Sequence, residues 1–355
     1  MTHGIEPLSA VGEFGLIERI KRIVDTAAAG AEASGGLVLG ISDDAAAYRP
    51  APGKLQLLTT DSFVEGVHFD LTFTSMKHLG WKIMTAALSD IAAVGGRPRY
   101  ATLGLSLPDK LSAGHVEEFY EGVAASMKAY SYIVAGGDTT GSAGNMTVTV
   151  TMTGEADEKS LLLRRGAVPG DYICVSGHLG ASVAALRILQ REKQRYLAEG
   201  RNDFHPDLEP YTPALEKHLM PRPRLDLIAL VADRVRLNSA IDISDGLASE
   251  VHHLCRESCV GADIYEHNLP VEEVTHRIAA EFGENPTTYA LYGGEEYELL
   301  FTISEGEYAK LENLTADVTV LGRILEKERG VLYVREDGTS GPLVPLGWDH
   351  FAEPR

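Results

Sequence analysis

Leu57-Leu58-Thr59-Thr60-Asp61-Ser62-Phe63-Val64-Glu65-Gly66-Val67-His68-Phe69 runs an apolar strand into two hydroxyls and a carboxylate, with a histidine seven residues past that carboxylate. Hard oxygen ligands crowded at a strand end suit Mg²⁺, which favours carboxylate and water over nitrogen or sulfur. Four similar acidic knots occur elsewhere: Ser42-Asp43-Asp44, Leu88-Ser89-Asp90, Gly136-Gly137-Asp138-Thr139-Thr140 and Asp242-Ile243-Ser244-Asp245-Gly246. If they meet in space, their like charges raise one another's pKa unless cations neutralise them. That pattern points to a multi-metal site, and such sites commonly serve phosphate chemistry.

The surroundings of the knots predict alternating strands and helices. Apolar residues at helical spacing place helices over 13–29, 76–94 and 115–130. Strands are expected at 36–41, 54–60, 99–106, 131–135 and 145–154. A polar stretch at Ala156–Ser160 and the turn Val168-Pro169-Gly170-Asp171 mark a domain boundary, which divides the chain into 1–160 and 161–355. Beyond it a strand at 171–176 leads to a helix over 179–192. Ser176-Gly177-His178-Leu179-Gly180 between them lacks dinucleotide-motif spacing and reads as a tight connection. The charged segment 190–211 reads as a solvated extension. Pro221-Arg222-Pro223-Arg224 opens another helix. Strand 239–243 feeds helix 246–257, and short strands and helices alternate from 297 onward.

A length of 355 residues fits two domains. A net charge of -19 argues against nucleic acid and anionic membrane as partners. No apolar run approaches bilayer length, and Met1–Glu6 has neither the basic nor the apolar region of a signal peptide. Three cysteines, an odd and sparse set, fit a reducing cytoplasm. His252, His253, Cys255 and Cys259 would all lie on one helix, which is a poor zinc cage.

Several reaction types are absent from the motif set. There is no Gly-x-x-x-x-Gly-Lys-Ser/Thr loop, no protein-kinase catalytic loop, no nucleophile elbow and no calcium-sensor loop. Metal and electrostatics must then carry the chemistry, as is usual for phosphoryl transfer. Asp43-Asp44 also reads as a solvated turn, and Ser244 or Asp245 as a helix N-cap. Asp90 resists a bland reading, because it lies within Ala-rich Met84–Ala93, where a buried carboxylate is costly unless paired or metal-bound.

The ordered set resembles the thiamine-monophosphate kinase family. The match runs through Gly40-Ile41-Ser42-Asp43-Asp44, Thr59-Thr60-Asp61 with Glu65-Gly66-Val67-His68, Leu88-Ser89-Asp90, and Gly136-Gly137-Asp138-Thr139-Thr140. It continues through Arg164-Arg165-Gly166, Asp242-Ile243-Ser244-Asp245-Gly246, Tyr292-Gly293-Gly294-Glu295-Glu296-Tyr297-Glu298 and Gly347-Trp348-Asp349. Ser42 departs from the family's usual glycine, and Glu296 from its usual aspartate. Selenophosphate synthase and the purine-pathway amidine synthases are the alternatives within the wider superfamily. The former would be expected to carry a reactive cysteine or selenocysteine near the N-terminus, whereas the first cysteine here is Cys174.

The resemblance implies a two-domain α/β (α+β) fold of the aminoimidazole-ribonucleotide-synthetase-like type. Its N-terminal domain would bind ATP and Mg²⁺ and dimerise through its sheet, and its C-terminal α/β domain would complete the cleft. The implied reaction is ATP-dependent phosphorylation of thiamine monophosphate in the cytoplasm, with several Mg²⁺ ions and ATP as co-substrate. By motif position, Asp44, Thr59, Thr60, Asp61, Asp90, Asp138, Asp242 and Asp245 resemble the metal shell, with Asp61, Asp90, Asp138 and Asp245 as its catalytic members. Tyr120, Gly137, Asp138, Arg164 and Ser244 resemble ATP contacts, and His68, Glu295 and Trp348 resemble substrate contacts.

Overall fold

A computed structural model describes residues 6–29, 36–41, 45–199 and 204–348. The chain divides into two compact units. One holds the residues through Ile91 together with Gly96–Ser160; the other holds Ala92–Gly95 and the residues from Leu161 onward.

The first unit contains α1 (Leu8–Ala28), β1 (Leu37–Leu39), β2 (Ala47–Tyr48), β3 (Leu55–Val64), α2 (Met76–Ala93, whose last two residues belong to the second unit), β4 (Arg97–Pro108), α3 (Ala113–Tyr130), β5 (Ile133–Ser142) and β6 (Thr147–Ala156). Four strands form a sheet in the order β3-β6-β4-β5, antiparallel except for the β4–β5 pair. β6 shows why one face is covered. Thr147, Thr149, Thr151 and Thr153 are half-buried, while Val148, Val150 and Met152 between them are fully buried. That two-residue period is what a strand with one core face requires. Glycine lets α2 and α3 cross closely: a Cβ at Gly122 would lie 1.9 Å from the Lys77 carbonyl oxygen, and one at Gly80 2.1 Å from that of Phe119.

The second unit contains β7 (Tyr172–Ser176), α4 (Ala181–Glu199), α5 (Thr212–Leu219), α6 (Leu225–Val231), β8 (Ser239–Asp242), α7 (Leu247–Ser258), β9 (Gly261–Tyr265), α8 (Glu273–Phe282), α9 (Pro286–Tyr292), β10 (Leu299–Ile303), α10 (Glu305–Leu311), β11 (Val318–Leu325), β12 (Val331–Val334) and β13 (Ser340–Pro342). Its seven-stranded sheet has the order β13-β12-β9-β11-β7-β10-β8, and only β12–β9 is parallel. Ile173, Val175, Ile241 and Leu300 enter one core cluster with α7; Cys174, Ala240, Phe301 and Ile303 enter another with α6. Both faces are covered, so β10 is buried along its whole length rather than alternately, with Thr302, the one polar residue in it, bonded to Ser239.

The segment 190–211 is not simply a solvated extension. α4 continues to Glu199, and Glu192 is buried. Arg191 bonds Glu281 at 2.9 Å and lies 5.6 Å from the Phe282 ring centroid and 5.5 Å from that of Tyr211. Guanidinium–ring contacts of this kind pack the helix, so the charge-rich composition hides a structural face.

Candidate functional site

In the first unit, the β3 alternation sends Thr59 and Asp61 toward α2. Thr59 Oγ1 donates to Asp90 Oδ2. Among the described residues, Asp61 Oδ2 is buried without a hydrogen-bond partner. Desolvation, reinforced by the nearby Asp90 charge, raises the Asp61 pKa to about 6. A hard cation fits this set: an oxygen with no donor among the described residues faces inward, a second carboxylate is beside it, and a cation would return Asp61 to full ionisation. Among the described residues, no three His, Cys, Asp or Glu side chains already form a closed cage. Asp44, with Ser42 and Asp43, lies outside the described residues.

The same alternation separates other candidates from this pair. Thr60 faces the opposite side, where its hydroxyl meets Val150 O at 3.0 Å and Thr151 Oγ1 at 3.1 Å. Asp138 is in register with Gly104, and Asp61 with Val150 and Leu103. Three strand spacings thus lie between β3 and β5, roughly 14 Å at ~4.8 Å each. The acidic knots do not all converge within this unit. Gly137 precedes Asp138 with its α-carbon against the Leu103 backbone. Tyr120 lies inside the core at 3% exposure, and burial pushes its phenol pKa up. His68 Nδ1 accepts from the Val64 N–H at 2.9 Å, which leaves the ring proton on Nε2 as a donor.

The second unit brings its candidates together through the backbone. β8 ends at Asp242, opposite Leu299 of β10. Beyond it, Ser244 O accepts from Glu295 N at 2.7 Å, Ile243 O from Tyr297 N at 2.9 Å, and Asp245 O from Trp348 N at 2.9 Å. Gly294 makes the approach possible, because a Cβ there would stand 2.6 Å from Ser244 O. Glu295 and Tyr297 adopt positive φ, 61° and 53°, each costing of order 1 kcal/mol. Trp348 remains 53% exposed, so it is not a core residue. Arg164 is set apart. Its carbonyl accepts from Ser258 Oγ at the far end of α7, and its charge bears on His253 midway along that helix.

Three carboxylates that the acidic-knot pattern does not mark as ligands surround this cluster. Glu298 accepts from Ser176 Oγ at 2.5 Å, from Arg224 Nη1 at 2.8 Å and from Lys217. Glu296 accepts from the N–H groups of Gly180 at 2.8 Å and Ser182 at 3.2 Å. Its Oε2 has no partner among the described residues, and burial raises its pKa to about 7. Glu250, 2% exposed, accepts from Asp245 N at 3.1 Å; burial raises it to about 8. A signal for the first two was present: three glutamates directly precede a fully buried strand.

Family models match both units. The AIR synthase related protein N-terminal domain matches residues 42–156, and the C-terminal domain matches residues 168–335. The thiamine-monophosphate kinase of Aquifex aeolicus is 36% identical over 97% of this chain and 99% of its own. That of Bacillus subtilis is 33% identical over 88% and 93%.

The chain belongs to the thiamine-monophosphate kinase family.

A solved structure described as "AaThiL complexed with AMPPCP and TMP" superposes with TM-score 0.73 at 33% identity, covering 97% of this chain and 98% of that one. The thiamine-monophosphate kinase of Stenotrophomonas maltophilia gives 0.77 at 32% identity, covering 92% and 97%. The hydrogenase maturation protein HypE, at 19% identity and TM-score 0.71, shares the fold.

The raised Glu296 pKa has a stability consequence. In the native state the carboxyl holds its proton up to about 7, whereas unfolded it ionises near 4.5. Stability is therefore lost as pH rises through that window, by on the order of 3 kcal/mol when the group is fully ionised. Glu296→Gln keeps an acceptor for Gly180 and Ser182 and removes the ionisation. Thermal melts should show the variant's Tm gaining on the parent's between pH 5 and 8 and matching it near pH 4, as ~2.5 pKa units of linkage require. Parallel Tm profiles would mean that Glu296 is not protonated in the native state.

Proposed function

We propose that this protein transfers the γ-phosphoryl group of ATP to the phosphate of thiamine monophosphate, forming thiamine diphosphate by direct in-line displacement. The observation that carries this reading is the backbone-bonded cluster of Ser244, Asp245, Glu295 and Trp348 in the second unit of a chain with near-full-length kinship to thiamine-monophosphate kinases.

The acceptor's own oxygens are ionised near neutral pH, so little general-base help is needed and charge repulsion is the main barrier. His68 Nε2–H is assigned to the acceptor phosphate, because Nδ1 is already committed to Val64. Trp348 offers an exposed indole face to the cationic thiazolium. Glu295 presents a carboxylate to the same heterocyclic half. Ser244, Gly137, Asp138, Arg164 and Tyr120 are assigned to ATP by motif position; for buried Tyr120 that assignment rests on the motif alone. Thr59, Asp61 and Asp90 would hold Mg²⁺, and the orphaned Asp61 oxygen supports the assignment; Asp44, Thr60, Asp138, Asp242 and Asp245 are assigned to metal by motif position alone. When bound, Mg²⁺ offsets the charge on the phosphates.

The functional oligomer is a homodimer formed through the uncovered face of the first unit's sheet. Leu58 stands 74% exposed there beside the half-buried threonine row of β6. The net charge of -19 argues against nucleic acid and anionic membrane as partners; among the described residues no helix is long and apolar enough to cross a membrane. The assigned compartment is the cytoplasm.

Steady-state turnover of ATP with thiamine monophosphate, against thiamine and aminoimidazole precursors, tests the reaction. Asp61→Asn and Asp90→Asn should each lower kcat at least about 100-fold, ~2.7 kcal/mol, with circular dichroism unchanged. Near-parental kcat at saturating Mg²⁺ in either variant would count against the assignment.

For Trp348, cation–ring attraction is about 0.5–2 kcal/mol, so Trp348→Ala should raise KM for thiamine monophosphate several-fold. Trp348→Phe should recover much of the loss, with KM for ATP and Tm little changed. A large drop in Tm with unchanged KM would assign Trp348 to packing.

At the interface, Leu58→Glu places a charge in a dry contact and should shift the sedimenting species from dimer to monomer. A variant that remains dimeric at micromolar concentration would move the interface elsewhere.

A further inference from the structure

His218 lies in the last turn of α5 and is 4% exposed. Its Nδ1 stands 3.0 Å from Ser182 Oγ and 3.8 Å from Glu295 Oε2. One ring nitrogen therefore faces a hydroxyl in the first turn of α4 and a carboxylate in the loop before β10. Both neighbours are themselves fixed. Ser182 N–H donates to Glu296 Oε1 at 3.2 Å, and Glu295 N–H donates to Ser244 O at 2.7 Å. The adjacent Lys217 is turned to a different carboxylate, Glu298.

Glu295 is thus held at both ends. Its backbone occupies the left-handed region at φ 61°, which a non-glycine residue keeps only when its surroundings over-determine it. Its side chain is about one-third exposed, with Oε2 turned toward the imidazole. A carboxylate left to rotate would lose much of its directional value for a ligand's N–H groups or positive charge, and an imidazole on its inner edge restricts that rotation.

We propose that His218, braced by Ser182, is a positioning residue that orients the Glu295 carboxylate toward the cationic, N–H-bearing heterocycle of the phosphoryl acceptor. This rests on the acceptor reading given under Proposed function. His218 acts through Glu295, so it should affect acceptor binding and leave the ATP side unchanged.

The test is a double-mutant cycle on the full-length enzyme. His218→Leu fills the same space without a polar atom; His218→Asn restores a polar atom near the Nδ1 position. His218→Leu should raise KM for thiamine monophosphate about 10-fold, ~1.4 kcal/mol, with kcat and KM for ATP within about 3-fold of the parent. His218→Asn should recover most of the loss. In a Glu295→Gln background, His218→Leu should add less than about 2-fold, because the group it orients is gone. Ser182→Ala, a small change at a helix start, should raise the same KM by a lesser factor; it is decisive if His218→Leu does not fold. Equal His218→Leu effects in both backgrounds, matching losses in the Leu and Asn variants, or a parental KM in Ser182→Ala when His218→Leu does not fold, would overturn the proposal. A parent enzyme that turns over no thiamine monophosphate would instead overturn the acceptor reading on which the proposal rests.

Discussion

A carboxylate removed from water must find a cation, a set of donors or a proton, and the fold applies that constraint differently at each of its buried acids. Glu298 has Arg224 and Lys217. Glu296 has two backbone N–H groups from the turn that follows β7, together with a proton near neutral pH. Asp61 has an oxygen with no donor and a like-charged neighbour in Asp90. The first arrangement is complete within the chain and stiffens it; the second leaves Glu296 Oε2 without a partner among the described residues. In the third, no described residue donates to the buried Asp61 oxygen, which is the observation behind the metal site proposed at Asp61 and Asp90.

The second unit depends on the same economy of donors. Glu296 ties the β7–α4 turn to the loop before β10, and that loop is tied in turn to the Ser244–Asp245 backbone. Gly294 permits the contact, and Glu295 and Tyr297 take positive φ beside it. Glu295 is left partly exposed at the cluster while Glu296, Tyr297 and Glu298 are buried beneath it. One four-residue stretch therefore supplies both a ligand-facing group and the foundation that holds it.

In the first unit, strand register matters most. A two-residue period divides Thr59 and Asp61 from Thr60, and three strand spacings divide Asp61 from Asp138. Chain proximity groups Thr59, Thr60 and Asp61 as one motif. The sheet separates them into a helix-facing pair and a hydroxyl on the uncovered face, where Thr60 pairs with Thr151.

Much was determined by the sequence alone. The strand carrying Thr59-Thr60-Asp61, which continues to Val64 instead of ending there, the helix carrying Asp90, the turn after Asp242 and the family likeness all rest on local order: apolar periodicity, turn chemistry and the types of side chain at each knot. Only the tertiary structure decided which of these meet. Backbone hydrogen bonds between segments about fifty and a hundred residues apart join Ser244 to Glu295 and Asp245 to Trp348, and no local pattern encodes such pairings. Burial likewise distinguished Glu296 and Glu298 from Glu295, and turned the charged Gln190–Tyr211 stretch into a packed helix face at Arg191 and Glu192. A charged residue looks the same in the sequence whether solvent or a neighbouring helix will receive it; the difference arises only when long-range packing fixes what lies beside it.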